Sequence, residues 1–435
     1  MYFFIGIKGT GMAALATMLH DIGEEVKGSD LKKHFFTEDD LIKRNIEILP
    51  FDPKNIKDNM TVIIGNAYLE DFPEVVAARN NKTCTCYRYH EFLGKLMTNY
   101  KSVTVSGSHG KTTTTTMLKD VFSKFKKTGS LIGDGEGYLD KDSEYLCVEA
   151  CEFRRHFLAY HPDYAIITNI EIDHVDYFKD EEDYFNAYQE YVRQVKEAVF
   201  YNGDDKWCQK LGFNDLPHFS FGFEETNDFR PINMEEIDNQ MAFDFTFRGQ
   251  FVAHYVLPFA EKHLIYDAMA VMALATILCF NPQGVELALS HYISPKRRFK
   301  VEMFNDYVFV DDYAHHPTEV AVTLETAKHR YKDKEIIAIF KPHRASRVYH
   351  FAEEFKKALL KADKVYLLDF TSIDDKQDGT DIDITYLANM IPGSVILSED
   401  EKGAEILAKH KNACFVFMSS KDIYHLAEKT KNLLK

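Results

Sequence analysis

The chain has 435 residues, of which 45% are hydrophobic and 28% charged, with 52 basic side chains against 68 acidic ones and a formal net charge of −16. That length exceeds what one hydrophobic core organises, so two or three domains are expected. The acidic balance, with no Lys/Arg-rich block, excludes a general nucleic-acid binder, and the longest apolar run, Ala268–Phe280, is too short to cross a bilayer.

Seven cysteines (84, 86, 147, 151, 208, 279 and 414) are scattered through the chain. An odd total with no C-x-x-C pair predicts reduced, buried thiols rather than a disulfide framework. The opening MYFFIGIKGTGM lacks the charged region and cleavage site of a signal peptide, so a cytoplasmic protein is expected.

Residues 1–97 open with a short apolar strand, a glycine turn, a helix and a second strand ending near Gly28-Ser29-Asp30. Gly6, Gly9 and Gly11 are spaced G-x-x-G-x-G, not the dinucleotide G-x-G-x-x-G. Two readings stand: a tight turn without a ligand, or a turn whose backbone approaches a phosphate at the helix N-terminus. A dehydrogenase would rest on these glycines alone.

Residues 98–295 carry the strongest signal. Ser102–Gly107 alternates like a strand running into a turn, and Gly107-Ser108-His109-Gly110-Lys111-Thr112 is a shortened phosphate loop, G-x-x-G-K-T. Glycines let backbone N–H groups wrap phosphates, Lys111 reaches the β and γ oxygens, and Thr112 can ligate Mg²⁺. Five consecutive threonines, Thr112–Thr116, begin the helix although β-branched residues favour it little. Thr112 serves the metal and Thr113 a phosphate or an orphan N–H; Thr114–Thr116 read only as packing. Two strands, 144–150 and 164–170, then end in metal-binding residue types: Glu149 and Glu152 after the first, Glu171, Asp173, His174 and Asp176 after the second. Asp180–Val199 reads as an amphipathic helix, and Met241–Phe259 as a strand pair about Arg248-Gly249-Gln250.

Residues 296–435 begin at a cationic break, Lys296-Arg297-Arg298-Phe299, followed by repeated strand–turn–helix units that predict a second parallel sheet. His316-Pro317 marks a helix entry. Arg344 and Arg347, three apart, would share a helix face and hold carboxylate or phosphate oxygens.

Taken together, GIKGTGM, GSHGKTTT, EACE, TNIEIDH, KRRF, DDYAHHPTEV and FKPHRASR resemble the Mur ligase family, ATP-dependent enzymes that build the peptide stem of peptidoglycan. DDYAHHPTE and PHRASR are close to the signatures of the branch that adds L-alanine to UDP-N-acetylmuramic acid. The 25 residues between Glu149 and His174 match that branch's metal ligands. Tyr188 stands where several sister ligases carry a carbamylated lysine, which that branch also lacks.

The resemblance implies an α/β protein of three domains: an N-terminal Rossmann-like domain for the UDP-sugar, a central P-loop ATPase domain with a mainly parallel sheet, and a C-terminal Rossmann-like domain that closes on both. It implies ATP and Mg²⁺, and amide formation through an acyl phosphate. Lys111, Glu149 and His174 would be catalytic, with Thr112, Glu149 and His174 on metal. ATP would lie on Gly107, Ser108, His109, Gly110, Lys111, Thr112, Thr113, His263, Asp267, Arg298 and Asp312. The UDP-sugar would lie on Gly9, Thr10, Gly11, Met12, Asp30, His343, Arg344 and Arg347. Expected partners are UDP-N-acetylmuramic acid and L-alanine, with no nucleic acid and no membrane, in a monomer or weak dimer.

Three departures concern recognition. The family's adenine-binding G-x-H-N-x-x-N is Glu261-Lys262-His263-Leu264-Ile265-Tyr266-Asp267, so adenine recognition is expected to loosen, with Asp267 able to accept from guanine. A glycine-rich G-A-G-D is Ser419-Ser420-Lys421-Asp422. The second glycine of GIGGxGM is Lys8, either a cation for the diphosphate or a solvent-facing side chain. Two rivals remain: a relative adding a preformed peptide or another amine, and a nucleotide-binding regulatory protein without turnover.

Overall fold

The computed structural model describes residues 1–133, 135–295, 297–370, 379–421 and 423–435, so Lys296 and Asp422 of the motifs above lie outside the described residues. It is an α/β protein with three mainly parallel sheets, gathered in two compact units: 1–171 with 182–293, and 172–181 with 294–435. Each sheet arises where short apolar runs alternate with amphipathic helices, the pattern that places helices on the faces of a parallel sheet.

The first unit holds two sheets. In the smaller, all five strands are parallel, in the order Glu47–Leu49, Val26–Ser29, Tyr2–Ile5, Thr61–Ile64, Thr85–Arg88. Tyr2–Ile5 sits at the centre, where connections leave to either side, and the helix Thr10–Asp21 follows its glycine turn. In the larger, ten-stranded sheet the strand Lys101–Ser106 lies between Tyr145–Glu149 and Tyr164–Ile167, all parallel. The expected strand pair is present as Gln240–Phe247 against Gln250–Leu257, turning at Arg248 (φ 50°) and Gly249 (φ 76°).

The core of this larger sheet joins Val103, Val105, Leu118, Val121, Phe122, Ile166 and Phe200 to the helix Lys262–Ile277, buried from Ala268 to Ala275. A helix apolar on every side is stable only when enclosed, which explains the long apolar run without a membrane. Among the described residues no helix is long and apolar enough to cross one. The helix expected over 180–199 stops at Val192, and Ala198–Asn202 is a strand paired with Tyr164–Ile167. The β-branched and aromatic run Val199-Phe200-Tyr201 fits a buried sheet position better than a sixth helical turn.

The second unit is a six-stranded sheet, antiparallel at one edge (Lys300–Phe304 on Tyr307–Asp312) and parallel elsewhere. Its helix Pro317–Arg330 starts as expected at His316, whose Nδ1 accepts from the Thr318 N–H at 3.4 Å while Glu319 completes a capping box. The segment Ile172–Glu181, which contains His174, belongs to this unit although its neighbours in sequence belong to the first.

Candidate active site

The phosphate loop follows Lys101–Ser106 and opens the helix Lys111–Phe125. Two glycines are required for its path. Gly107 has φ 142° and a Cβ there would stand 2.0 Å from Thr168 Oγ1; Gly110, the helix cap, has φ 83° and a Cβ would meet Asp267 Oδ1 at 2.6 Å. Residues after Tyr164–Ile167 pin the loop from the other side. The His109 N–H donates to Asn169 Oδ1 (2.9 Å), Thr168 Oγ1 and Asn169 Nδ2 donate to His109 O (2.5 and 3.0 Å), and the His109 ring is 3.1 Å from Glu171.

Lys111 Nζ donates to Gly107 O, to Ser108 O at 3.1 Å, and pairs with Glu152 at 3.1 Å. Burial alone would depress the Lys111 ammonium, but Glu152, with Cys151 and Glu149, outweighs it and holds the group above its ordinary range. Glu152 is itself 1% exposed. Tyr184 connects the pair to the loop, since its hydroxyl donates to Glu152 at 3.3 Å and lies 3.0 Å from Ser108 Oγ. Tyr188, at the position of the sister ligases' lysine, is buried against this network, 3.4 Å from the Tyr184 hydroxyl. The EACE spacing pointed to Glu152. Nothing in the periodicity singled out Tyr184, a buried aromatic on an amphipathic helix.

Glu149 ends its strand beside the loop, where Glu149 Oε2 accepts from the Gly133 N–H at 2.8 Å. Thr112 and Thr113 are buried in the first helical turn. The residues fit a divalent cation with a polyphosphate: a glycine cradle that a Cβ would fill, one ammonium, a hydroxyl and an adjacent carboxylate.

The threonine reading needs correction. Thr114 is a polar anchor, its hydroxyl donating to Asp267 Oδ1 at 2.8 Å, while Thr115 and Thr116 bond back to the carbonyls of Lys111 and Thr112 at 2.8 and 2.9 Å. The same contact corrects Asp267. Only 6% exposed and lodged beneath Gly110, it braces the phosphate loop and is not presented to the edge of a purine. His263 lies one turn earlier, on the exposed side of that helix.

In the smaller sheet a cavity of about 460 Å³ opens at the C-terminal ends of the parallel strands, where open α/β sheets bind ligands. It gathers the expected Gly9, Thr10, Gly11, Met12 and Asp30, and adds Asn66, Tyr68 and Tyr89 from the neighbouring strand ends. Asp30 Oδ2 accepts from the Lys8 N–H at 2.7 Å. Lys8 is neither solvent-facing nor aimed at a diphosphate: it is 6% exposed, and its ammonium meets Leu31 O, Lys33 O and Glu38 at 2.9, 3.0 and 2.9 Å.

In the second unit, Arg347 is 3% exposed and sends Nε and Nη2 to Asp173 Oδ1 at 2.9 and 2.8 Å; Arg344 pairs with Asp176. Arg344 caps the short helix Ala345–His350 with φ 67° and lies outside it, so the shared-face argument fails although both arginines reach the same segment. They hold 172–181 rather than an open substrate site. His343 Nδ1 is 3.0 Å from Ser420 Oγ, and the His174 N–H donates to Asp173 Oδ1 at 2.6 Å.

Burial raises the Asp173 carboxyl, but Arg347, then His174, His316 and His315, outweigh it and keep it well below the usual carboxylate range. Asp312 is a brace rather than an outward-facing nucleotide ligand, accepting from the N–H groups of Phe299 and Ala314 at 2.7 Å each. Burial pushes its carboxyl up to about 6 against the opposing Arg298. The Arg298 guanidinium lies over the Tyr313 ring, 5.3 Å from its centroid, and 3.9 Å from Glu319.

A phosphate loop flanked by carboxylates, with separate sheets on either side of it in sequence, defines a nucleotide-dependent ligase. Three family models cover the chain: Mur ligase family, catalytic domain, at residues 2–101; Mur ligase middle domain at 105–275; and Mur ligase, glutamate ligase domain, at 297–418. The chain belongs to the Mur ligase family, the ATP-dependent amide ligases of peptidoglycan synthesis.

Among solved structures it resembles the UDP-N-acetylmuramate–alanine ligase of Thermotoga maritima (24% identity, 99% of this chain and 98% of that one, TM-score 0.81). It also resembles a murein peptide ligase of Psychrobacter arcticus (22%, 100% and 98%, TM-score 0.73). A third likeness is to a ligase of Thermotoga maritima in complex with ADP (18%, 95% and 96%, TM-score 0.65).

Proposed function

We propose that this protein joins L-alanine to the lactyl carboxylate of UDP-N-acetylmuramic acid, using ATP and releasing ADP and phosphate. The observation that carries the reading is the coexistence, in one compact unit, of an intact phosphate loop and the cavity at Gly9–Met12 and Asp30. A carboxylate does not acylate an amine unaided. The γ-phosphoryl group is transferred to a carboxylate oxygen, the amine attacks the carbonyl carbon, and the C–O bond to phosphate breaks as the amide forms.

That chemistry asks for positioned charge more than for a protein nucleophile. Lys111, held protonated beside Glu152, meets the charge on the β and γ oxygens, and the loop N–H groups orient the chain of phosphates. A divalent cation, when held by Thr112 and Glu149 with His174, neutralises phosphate charge. Three domains, with the first taking the sugar nucleotide, the second ATP and the third the amine, belong to the same reading.

The second reading, a ligase that adds a preformed peptide, is motivated by the likeness to the murein peptide ligase over the whole chain. Both are tested by ADP release from Mg²⁺–ATP with UDP-N-acetylmuramic acid, alone and with L-alanine, glycine, L-serine or a stem tripeptide. Release that requires the sugar nucleotide and L-alanine is expected. Release only with the tripeptide would replace the first reading by the second, and none with any amine would remove both.

A further inference from the structure

Lys8 stands where the resemblance expects a glycine, and its surroundings give it a definite task. An ammonium has three N–H donors. Here all three are met, by Leu31 O (2.9 Å), Lys33 O (3.0 Å) and the carboxylate of Glu38 (2.9 Å). The backbone of the same residue adds two more ties: its N–H donates to Asp30 Oδ2 at 2.7 Å, and its carbonyl accepts from Thr37 Oγ1 at 2.5 Å. One buried residue thus spans the whole connection from the end of the strand Val26–Ser29 to the helix Glu38–Lys43.

That connection has no helix or strand of its own to hold it. Yet Leu31, Phe35, Phe36 and Thr37 form a wall of the 460 Å³ cavity, opposite the glycine turn. Leu31 and Phe36 are 54% and 59% exposed. Large apolar groups left open at the rim of a cavity are stabilised when a ligand covers them.

We propose that Lys8 is a positioning residue for the sugar nucleotide: it fixes the 31–37 wall so that Leu31 and Phe36 are poised over the ligand, and so sets affinity without taking part in the chemistry. This rests on the reading of the cavity as the sugar-nucleotide site. With its ammonium saturated, Lys8 contributes no direct charge to a diphosphate. Glu38 lies outside the cavity lining, so any effect of changing it on binding passes through Lys8 and the wall.

The test uses the full-length wild type, K8M and E38A, with folding checked by circular dichroism and thermal melting. Binding of UDP-N-acetylmuramic acid is measured by calorimetry, and steady-state rates with ATP varied in parallel. The expected result is a Kd for the sugar nucleotide raised about tenfold or more in K8M and about threefold in E38A. In both, kcat and the KM for ATP should stay within twofold. Folded variants that bind the sugar nucleotide as the wild type does would overturn the inference and leave the proposed function standing, as would a loss confined to kcat. If K8M does not fold, an unchanged Kd in E38A overturns it equally. A wild type that binds no UDP-sugar would overturn both the cavity reading and this inference.

Discussion

Two buried aspartates of the second unit carry opposite electrostatic burdens. Asp312 has its carboxyl raised by burial, so between about pH 4 and its printed value of about 6 the native state binds a proton that the unfolded chain releases. Its contribution to stability therefore falls as pH rises through that window, by up to about 3 kcal/mol at about 1.4 kcal/mol per unit. Asn cannot reproduce the two accepted backbone bonds, so D312N should be less stable than the wild type at pH 4.5, with the gap narrowing toward pH 7. Urea midpoints across that range measure it, and a gap independent of pH would contradict the account. Asp173 runs the other way: its depressed carboxyl adds stability that is present at neutral pH and lost on acidification. Removing one member of a buried pair typically costs about 3–5 kcal/mol, so R347A and D173A should each destabilise severely and the double variant by far less than their sum.

At the scale of elements, the phosphate-loop helix explains how five threonines can begin a helix that propensity disfavours. Each of the last three has a defined acceptor, but only Thr114 bonds outside its own helix. T114V should cost about 1–3 kcal/mol because it strands the Asp267 oxygen in a dry site, whereas T115V should cost under about 1 kcal/mol, since Lys111 O can be served by the helix. Thermal melts of the two variants give the comparison, and nucleotide affinity should fall only in the first. The segment 172–181 is a second case. Sequence order assigns it to the central stretch, but Arg344 and Arg347 bind it to the third sheet. Hydrogen exchange of its amides in R347A should accelerate about a hundredfold or more, while exchange in the strand Lys101–Ser106 stays unchanged.

For the whole molecule, ligand linkage offers a check that does not depend on the amine. A ligand at a hundred times its Kd stabilises by about 2.7 kcal/mol, which raises the melting temperature by about 2–4 °C in a body of this size. Mg²⁺–ATP should shift the wild type by that amount and leave K111A unmoved. Scanning calorimetry decides it, and an equal shift in K111A would remove the phosphate loop from nucleotide binding.

The class of fold and the position of the phosphate loop were legible in the chain because they rest on local rules. Alternating apolar runs, glycine turns and helical periodicity constrain neighbours within a few residues, and His316-Pro317 announced its helix in the same way. Roles that depend on partners far away in sequence were not legible. Lys8 was open between solvent and substrate until Glu38 and the carbonyls of Leu31 and Lys33 were placed around it. Asp267 read as a purine acceptor until Thr114, 153 positions earlier, claimed it. Arg347 read as a substrate grip until Asp173, 174 positions away, met it in a buried pair. Sequence by itself determined which elements form and which chemistry they carry, since those follow from covalent character and short-range periodicity. Tertiary structure alone decided which charges are spent on one another, because a buried charge takes its meaning from the counter-charge that folding brings to it.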